Sequence, residues 1–230
     1  DQAFNRERNL PPDQLTHRDS RQLLAAGEAE RQVAMYRTSF AVIPSDPSLA
    51  PQTRTARAAS TDFFQMFDAP FLFGAGWSAK EDADEARVVV ISRELNERLY
   101  KGENSVGREL RLDQEQYRVI GVLDTWKLQP MFYDLTSGAL SDTEDLFIPF
   151  SVATALEKGV NGTVNCFEPP GTGYRGLVDS ECVMTQFWVE LSDAPARERY
   201  QALLDRYTDG QRELGRFKRP NHNRLVPVME

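Results

Sequence analysis

Residues 86–91, Ala-Arg-Val-Val-Val-Ile, form a nearly continuous apolar, β-branched run, which suits a strand buried on both faces. Ser92 follows at once as a helix N-cap, with Leu95 and Leu99 spaced i, i+4 and Glu94 in the first turn, where the helix dipole favours an anion. Gly102 ends that helix. Upstream, Ser60 or Thr61 is placed to cap a short helix whose Phe63, Phe64 and Phe67 stack rings on one face, and Pro70 stops it. Downstream, 110–112 and 117–123 read as two strands around Asp113-Gln114-Glu115-Gln116, a hairpin-like connection without the favoured Asn-Gly. Residues 60–123 are therefore expected to form one compact unit of mixed strand and helix.

The order of these pieces resembles the extracytoplasmic core domain of MacB-like and FtsX-like ABC transporter permeases. The resemblance lies in Asp62-Phe63-Phe64 followed by a loop with Gly74 and Gly76, then VVVIS, then a helix ending at Tyr100-Lys101-Gly102. Ser105-Val106-Gly107, a short strand and Val119-Ile120-Gly121-Val122 come next, and Leu146-Phe147-Ile148-Pro149 is similar to the strand that follows. Residues 1–55 and 160–230 match in layout only. The chain departs from the better-known members in a shortened region before Asp62 and a long insert over 126–145, which leaves cargo and partner open.

Composition agrees with a water-facing domain. Lys plus Arg is 27 against 35 for Asp plus Glu, and a net charge of −8 disfavours broad contact with a polyanion such as nucleic acid. No apolar run approaches the roughly 20 residues of a membrane helix, and the first ten residues lack a signal-peptide core. Because the chain starts at Asp1, the resemblance favours an excised piece of a longer protein over a processed mature chain.

Cys166 and Cys182 enclose 15 residues containing Pro169, Pro170, Gly171, Gly173 and Gly176. In an oxidising compartment a bridge would order this turn-rich loop, so a disulfide is favoured over two separate thiols. Within the loop, residues 171–178 match both the dinucleotide fingerprint and the kinase glycine-rich loop. Context argues against both: Pro169-Pro170 stands where a strand is needed, no helical periodicity follows, and no DFG exists downstream. The segment is read as a turn-rich surface loop.

Catalytic signatures are thin. His17 and His222 sit near opposite ends of the chain, so a nucleophile–histidine pair needs one of them brought to a distant partner. Glu81, Asp82, Asp84 and Glu85 lack EF-hand spacing and read as a solvated loop, and no Cys/His cluster suggests zinc. No catalytic residue, metal ligand or cofactor is assigned. Asn161-Gly162-Thr163 reads as a turn.

At the ends, 13–35 reads as a solvent-facing helix, 36–43 and 53–59 as strands, 44–51 as a loop, 186–191 as a strand, 194–217 as a helix and 225–229 as an edge strand broken by Pro227. Tyr200, Leu203, Leu204, Tyr207 and Leu214 recur on one face and are expected in the core. The expected fold class is α+β with two subdomains. Residues 1–59 and 185–230 would form a porter-like α/β layer near the membrane, and 60–184 an inserted distal subdomain.

The resemblance implies a non-catalytic domain on the periplasmic side of the bacterial inner membrane, between the first two transmembrane helices, with both chain ends at one end of the molecule. It would carry motion from a cytoplasmic ABC ATPase for efflux, lipoprotein release or control of envelope enzymes. The implied partners are that ATPase, a second permease subunit and a periplasmic adaptor. The alternative is a ligand- or peptide-binding module using the distal loops, with Trp126, Met131, Phe132 and Tyr133 as its exposed surface. A carboxylate hydrolase is a third reading that no residue spacing supports.

Overall fold

The computed structural model describes residues 14–128, 130–134, 136, 143–218 and 220–228. The chain divides into two compact units, residues 1–32 with 164–230, and residues 33–163.

The first unit holds β1 (Leu15–Thr16), α1 (His17–Ala26), α6 (Gly173–Val178), β9 (Val183–Glu190) and α7 (Ala194–Glu213). β1 pairs antiparallel with β9 through Leu15↔Thr185 and Thr16↔Val183. Thr16 then caps α1 by accepting from the Asp19 N–H, and Gly27, at φ 63°, stops it in a left-handed turn. Pro195 stands in the first turn of α7, where its missing N–H is not needed, and Asp193 caps that helix from the Ala196 N–H at 2.7 Å.

The second unit holds β2 (Arg31–Ile43, whose first two residues belong to the first unit), β3 (Gln52–Ala59), α2 (Phe63–Met66), β4 (Phe71–Gly74), α3 (Ala79–Ala83) and β5 (Val88–Ile91). It continues with α4 (Arg93–Tyr100), β6 (Glu109–Leu112), β7 (Glu115–Leu123), a 3₁₀ turn at Phe132–Asp134, β8 (Leu146–Pro149) and α5 (Phe150–Ala155). β2 and β3 are an antiparallel hairpin, β3 runs parallel to β8, β8 antiparallel to β5, and β5 parallel to β7. β6 pairs antiparallel with both β7 and the end of β2 through Val42↔Leu112, so the ladder β2-β3-β8-β5-β7-β6 returns to β2. This two-residue pairing of β6 with β2 joins the ends of the ladder into a circuit, and β4 is a branch on β7.

β5 is buried at every residue, as its apolar run requires. Ser92 caps α4 from the Leu95 N–H at 3.1 Å, and its own hydroxyl donates to Asp145 at 2.9 Å. Two glycines of the aromatic loop have steric reasons. A Cβ on Gly74, at φ 67°, would lie 2.1 Å from the Ile120 carbonyl oxygen, and one on Gly76 would lie 2.4 Å from the Phe64 ring.

Several expectations are corrected. The solvent-facing helix over 13–35 stops at Ala26, and the strand begins at Arg31 instead of residue 36. Val33, Ala34, Met35 and Tyr36 are all buried, so the two-residue alternation that marks a half-exposed strand is missing there. Neither Ser60 nor Thr61 caps α2: Asp62 holds that position without a side-chain capping bond to the helix, while the Ser60 hydroxyl accepts from the Ala34 N–H at 3.1 Å. Residues 173–178 of the glycine-rich loop are a short helix, and the acidic stretch begins with α3, closed by a capping box between Ser78 and Glu81. α7 ends at Glu213 and Leu214 is 79 % exposed, outside any core. Residues 225–228 are not a strand; the Leu225 carbonyl accepts instead from Arg197 at 3.2 Å. Asp13, Met229 and the insert tip 137–142 lie outside the described residues, as do residues 1–13 and 230, on which the expected placement of the chain ends depends.

The unit boundaries fall at 32/33 and 163/164, where the sequence suggested 59/60 and 184/185. β2 and β3 join the central unit because β3 finds its parallel partner in β8, a pairing with no local signal. Residues 164–184 join the terminal unit through the Asn165–Val183 bridge and the start of β9.

Candidate functional site: an arginine clamp in each unit

Arg57 lies in β3 between the buried Ala56 and Ala58, with Arg37 and Phe147 as its strand neighbours. Its side chain is fully buried. Nη1 donates to Asp134 at 2.7 Å and Nη2 to Glu144, while Tyr133 donates to the other Glu144 oxygen at 2.9 Å. The guanidinium also stands 5.2 Å from the Tyr133 ring centre, and Thr136 donates to Asp134 at 3.0 Å. Burial alone lowers the Arg57 pKa, but Glu144 and then Asp134 outweigh it and hold the group firmly protonated. Burial, then Glu144, pushes the Tyr133 hydroxyl well above its ordinary value, so it stays a donor.

Asp134, Glu144 and Tyr133 all belong to the 126–145 insert. Arg57 therefore fastens the insert to the central sheet, and Thr143 closes its base by donating to the Trp126 carbonyl at 3.1 Å. Trp126 stacks on Tyr133 at 5.7 Å, and Phe63 of α2 packs edge-on against both. Met131 and Tyr133 are 1 % exposed, and Trp126 and Phe132 are half-buried. Of the four residues expected as a partner or ligand surface, Met131 and Tyr133 are thus buried where the insert packs on the α2 phenylalanines, while Trp126 and Phe132 keep part of their surface exposed.

The first unit has its own clamp. Gly215, at φ 76°, turns the chain back after α7, and the Arg216 N–H donates to the Gln211 carbonyl at 2.9 Å. This aims the Arg216 guanidinium at two carboxylates. It meets Asp19 at 2.5 and 3.0 Å and Glu181 at 2.8 and 2.9 Å, both in two-pronged fashion. Tyr207 adds a 2.6 Å bond to Asp19, and Arg18 reaches the Asp179 carbonyl at 3.2 Å. Burial opposes the charge on Arg216, but hydrogen bonds to Glu181 and Asp19 outweigh it and raise its pKa. Burial, then Asp19, raises the Tyr207 hydroxyl.

Cys166 and Cys182 are joined by a disulfide, with Cys166 exposed and Cys182 buried beside Glu181. His17 is buried at the start of α1; burial and the charge of Arg21, opposed by Asp179, lower its pKa to about 4. His222 is exposed. Asp82 accepts from Ser151 at 2.6 Å and from Thr61 at 3.2 Å, tying α3 to α5 and the loop before α2. Among the described residues no group of three His, Cys, Asp or Glu is arranged to hold a metal, and no helix is long and apolar enough to cross a membrane.

Neither clamp was anticipated from sequence. The available signal for Arg57 is an arginine between two alanines in a strand; Arg216 carries none, since its partners lie 35 and 197 residues away.

The model of the MacB-like periplasmic core domain family matches residues 5–207. No curated protein matches the chain. Three solved structures share the fold at low identity. The periplasmic region of MacB from Actinobacillus actinomycetemcomitans is 14 % identical with a TM-score of 0.52, over 90 % of this chain and 80 % of that one. The extracellular domain of the noncanonic ABC-type transporter YknZ from Gram-positive bacteria is 13 % identical with a TM-score of 0.53, over 88 % and 86 %. A domain of a putative permease from Porphyromonas gingivalis is 14 % identical with a TM-score of 0.50, over 89 % and 73 %. With the family model matched along most of its length, this chain belongs to the MacB-like periplasmic core domains of ABC transporter permeases.

Proposed function

We propose that this domain is a non-catalytic relay in a permease that works with a cytoplasmic ABC ATPase and a second permease subunit. The family match over residues 5–207 carries the reading. In it, motion enters through the terminal segments and is passed on to a periplasmic adaptor or cargo. A relay must hold its shape under load and needs no reactive group. Arginine clamps between segments distant in sequence supply such rigidity.

The test uses the full permease with its ATPase, each copy carrying one spin label at Glu94, an exposed residue of α4. ATP is expected to change the separation of the two labels, and the change should reverse when nucleotide is removed. A separation that stays fixed through the ATP cycle, with hydrolysis verified, removes the relay reading.

A further inference from the structure

α7 is 20 residues long, yet its buried residues are Ala196, Tyr200 and Thr208. Leu203, Leu204 and Tyr207, the rest of its apolar stripe, are half-buried. Besides its bonds to residues 221–225, side-chain bridges tie it to β1, α1, β2 and Glu181 at three levels. Tyr200 donates to Gln32 at 3.3 Å, Tyr207 to Asp19 at 2.6 Å, and Arg216, just past the helix end, to Asp19, Thr16 and Glu181. A helix with so short a buried face depends on its polar bridges as well, so losing the bridge at its end lowers the local opening free energy there.

Arg216 is the densest of these attachments. Its acceptors come from β1 and α1 at the start of the described chain and from Glu181, next to the disulfide. Thr16 both caps α1 and donates to the Asp19 oxygen that Arg216 also holds, so cap, carboxylate and guanidinium share one geometry. An alternative role as a mere surface ion pair does not fit, because the Arg216 and Asp19 side chains are 10 % and 4 % exposed.

We propose that Arg216 is a positioning residue that latches the end of α7 to α1, so that the leading and trailing segments of the first unit move as one body. Its value to transport rests on the relay reading above. Without the latch, α7 swings independently of α1, and displacement delivered to one segment is dissipated before it reaches the other.

The experiment again uses the full permease with its ATPase, the native disulfide intact and one labelled copy per complex. Labels sit at Gln22 on α1 and Arg206 on α7, both exposed. The unsubstituted domain is expected to give a single narrow distance distribution with and without ATP. Arg216→Gln should add a second, longer-distance population, and Arg216→Lys, which keeps the charge but loses the two-pronged bonds, should add a smaller one. Leu23→Ala, which loosens the buried face of α1 without touching the latch, controls for general destabilisation and should keep the narrow distribution at comparable loss of melting temperature. A narrow distribution in Arg216→Gln overturns the latch, as does a broad one in the unsubstituted protein or in Leu23→Ala to the same degree. The relay reading fails separately, through a fixed separation between Glu94 labels in the two copies whatever the Gln22–Arg206 distribution shows.

Discussion

Arg57 and Arg216 solve the same chemical problem in different surroundings. Each gathers two carboxylates from segments distant in sequence, but Arg57 and its partners are at most 1 % exposed, whereas Glu181 in the Arg216 clamp is 35 % exposed. A fully buried clamp must be complete, because removing one member strands charge in a low-dielectric interior. A clamp with one wet member tolerates opening, since water takes over the released carboxylate. Both clamps hold their segments, but losing one bond costs the central unit more than the terminal unit.

The largest expected effect follows from the dry clamp. Arg57→Met should cost about 3–5 kcal/mol in urea unfolding, because Asp134 and Glu144 remain buried without their cation. Arg57→Met combined with Asp134→Leu, Glu144→Leu and Tyr133→Phe should recover most of that loss, since no polar group of the network is then stranded. If the single and fourfold variants are equally unstable, the clamp acts through packing alone and the contrast with Arg216 collapses.

The disulfide comes next. Replacing Cys166 and Cys182 by serine and alanine should destabilise the chain by about 3 kcal/mol from loop entropy. Hydrogen exchange should localise the loss to β9, α6 and the Glu181 side of the clamp, with amides of β5 and β8 unaffected. Equal loss of protection in both units would mean that they unfold as one and that the two clamps do not report on separate bodies.

Arg216→Gln should cost less, about 2 kcal/mol, the scale of hydrogen bonds to charged groups that water partly replaces. Raising salt should shrink this difference while leaving the Arg57→Met effect unchanged, because only the partly wet clamp is open to screening. Equal salt dependence in the two variants would erase the distinction between them.

The same contrast explains what was legible in the sequence. β5, the Ser92 cap and α4 were readable because a buried β-branched run and a cap with its helix are local signals. The β2 start was hidden because Val33 to Tyr36 are buried together, and the unit boundary was hidden because β3 is claimed by β8, some ninety residues on. Trp126, Met131, Phe132 and Tyr133 are legible in the sequence as a cluster of large apolar residues, but composition does not say which way such a side chain faces. Met131 and Tyr133 are buried beside Arg57, which bonds Asp134 and Glu144 of the same insert.

The smallest effect, His17, separates the units by pH. Its folded pKa is about 4 against an ordinary 6.5, so between those values the unfolded chain takes up a proton that the folded chain refuses. The stability from keeping His17 neutral is fully present above pH 6.5 and drains away as pH falls toward 4. Between pH 7 and pH 6 the expected loss is about 0.7 kcal/mol from this one group. His17 lies in the first turn of α1, two residues before Asp19, and Arg21 and Asp179 are the charges that face it. Acid should therefore loosen α1 and the Arg216 clamp while the dry Arg57 clamp still holds. His17→Gln keeps a neutral polar side chain and should flatten this part of the pH dependence, with amide exchange in α1 no longer accelerating between pH 7 and pH 6 once corrected for the intrinsic rate. Parallel pH profiles for the two proteins would show that some other group in the terminal unit carries its acid sensitivity.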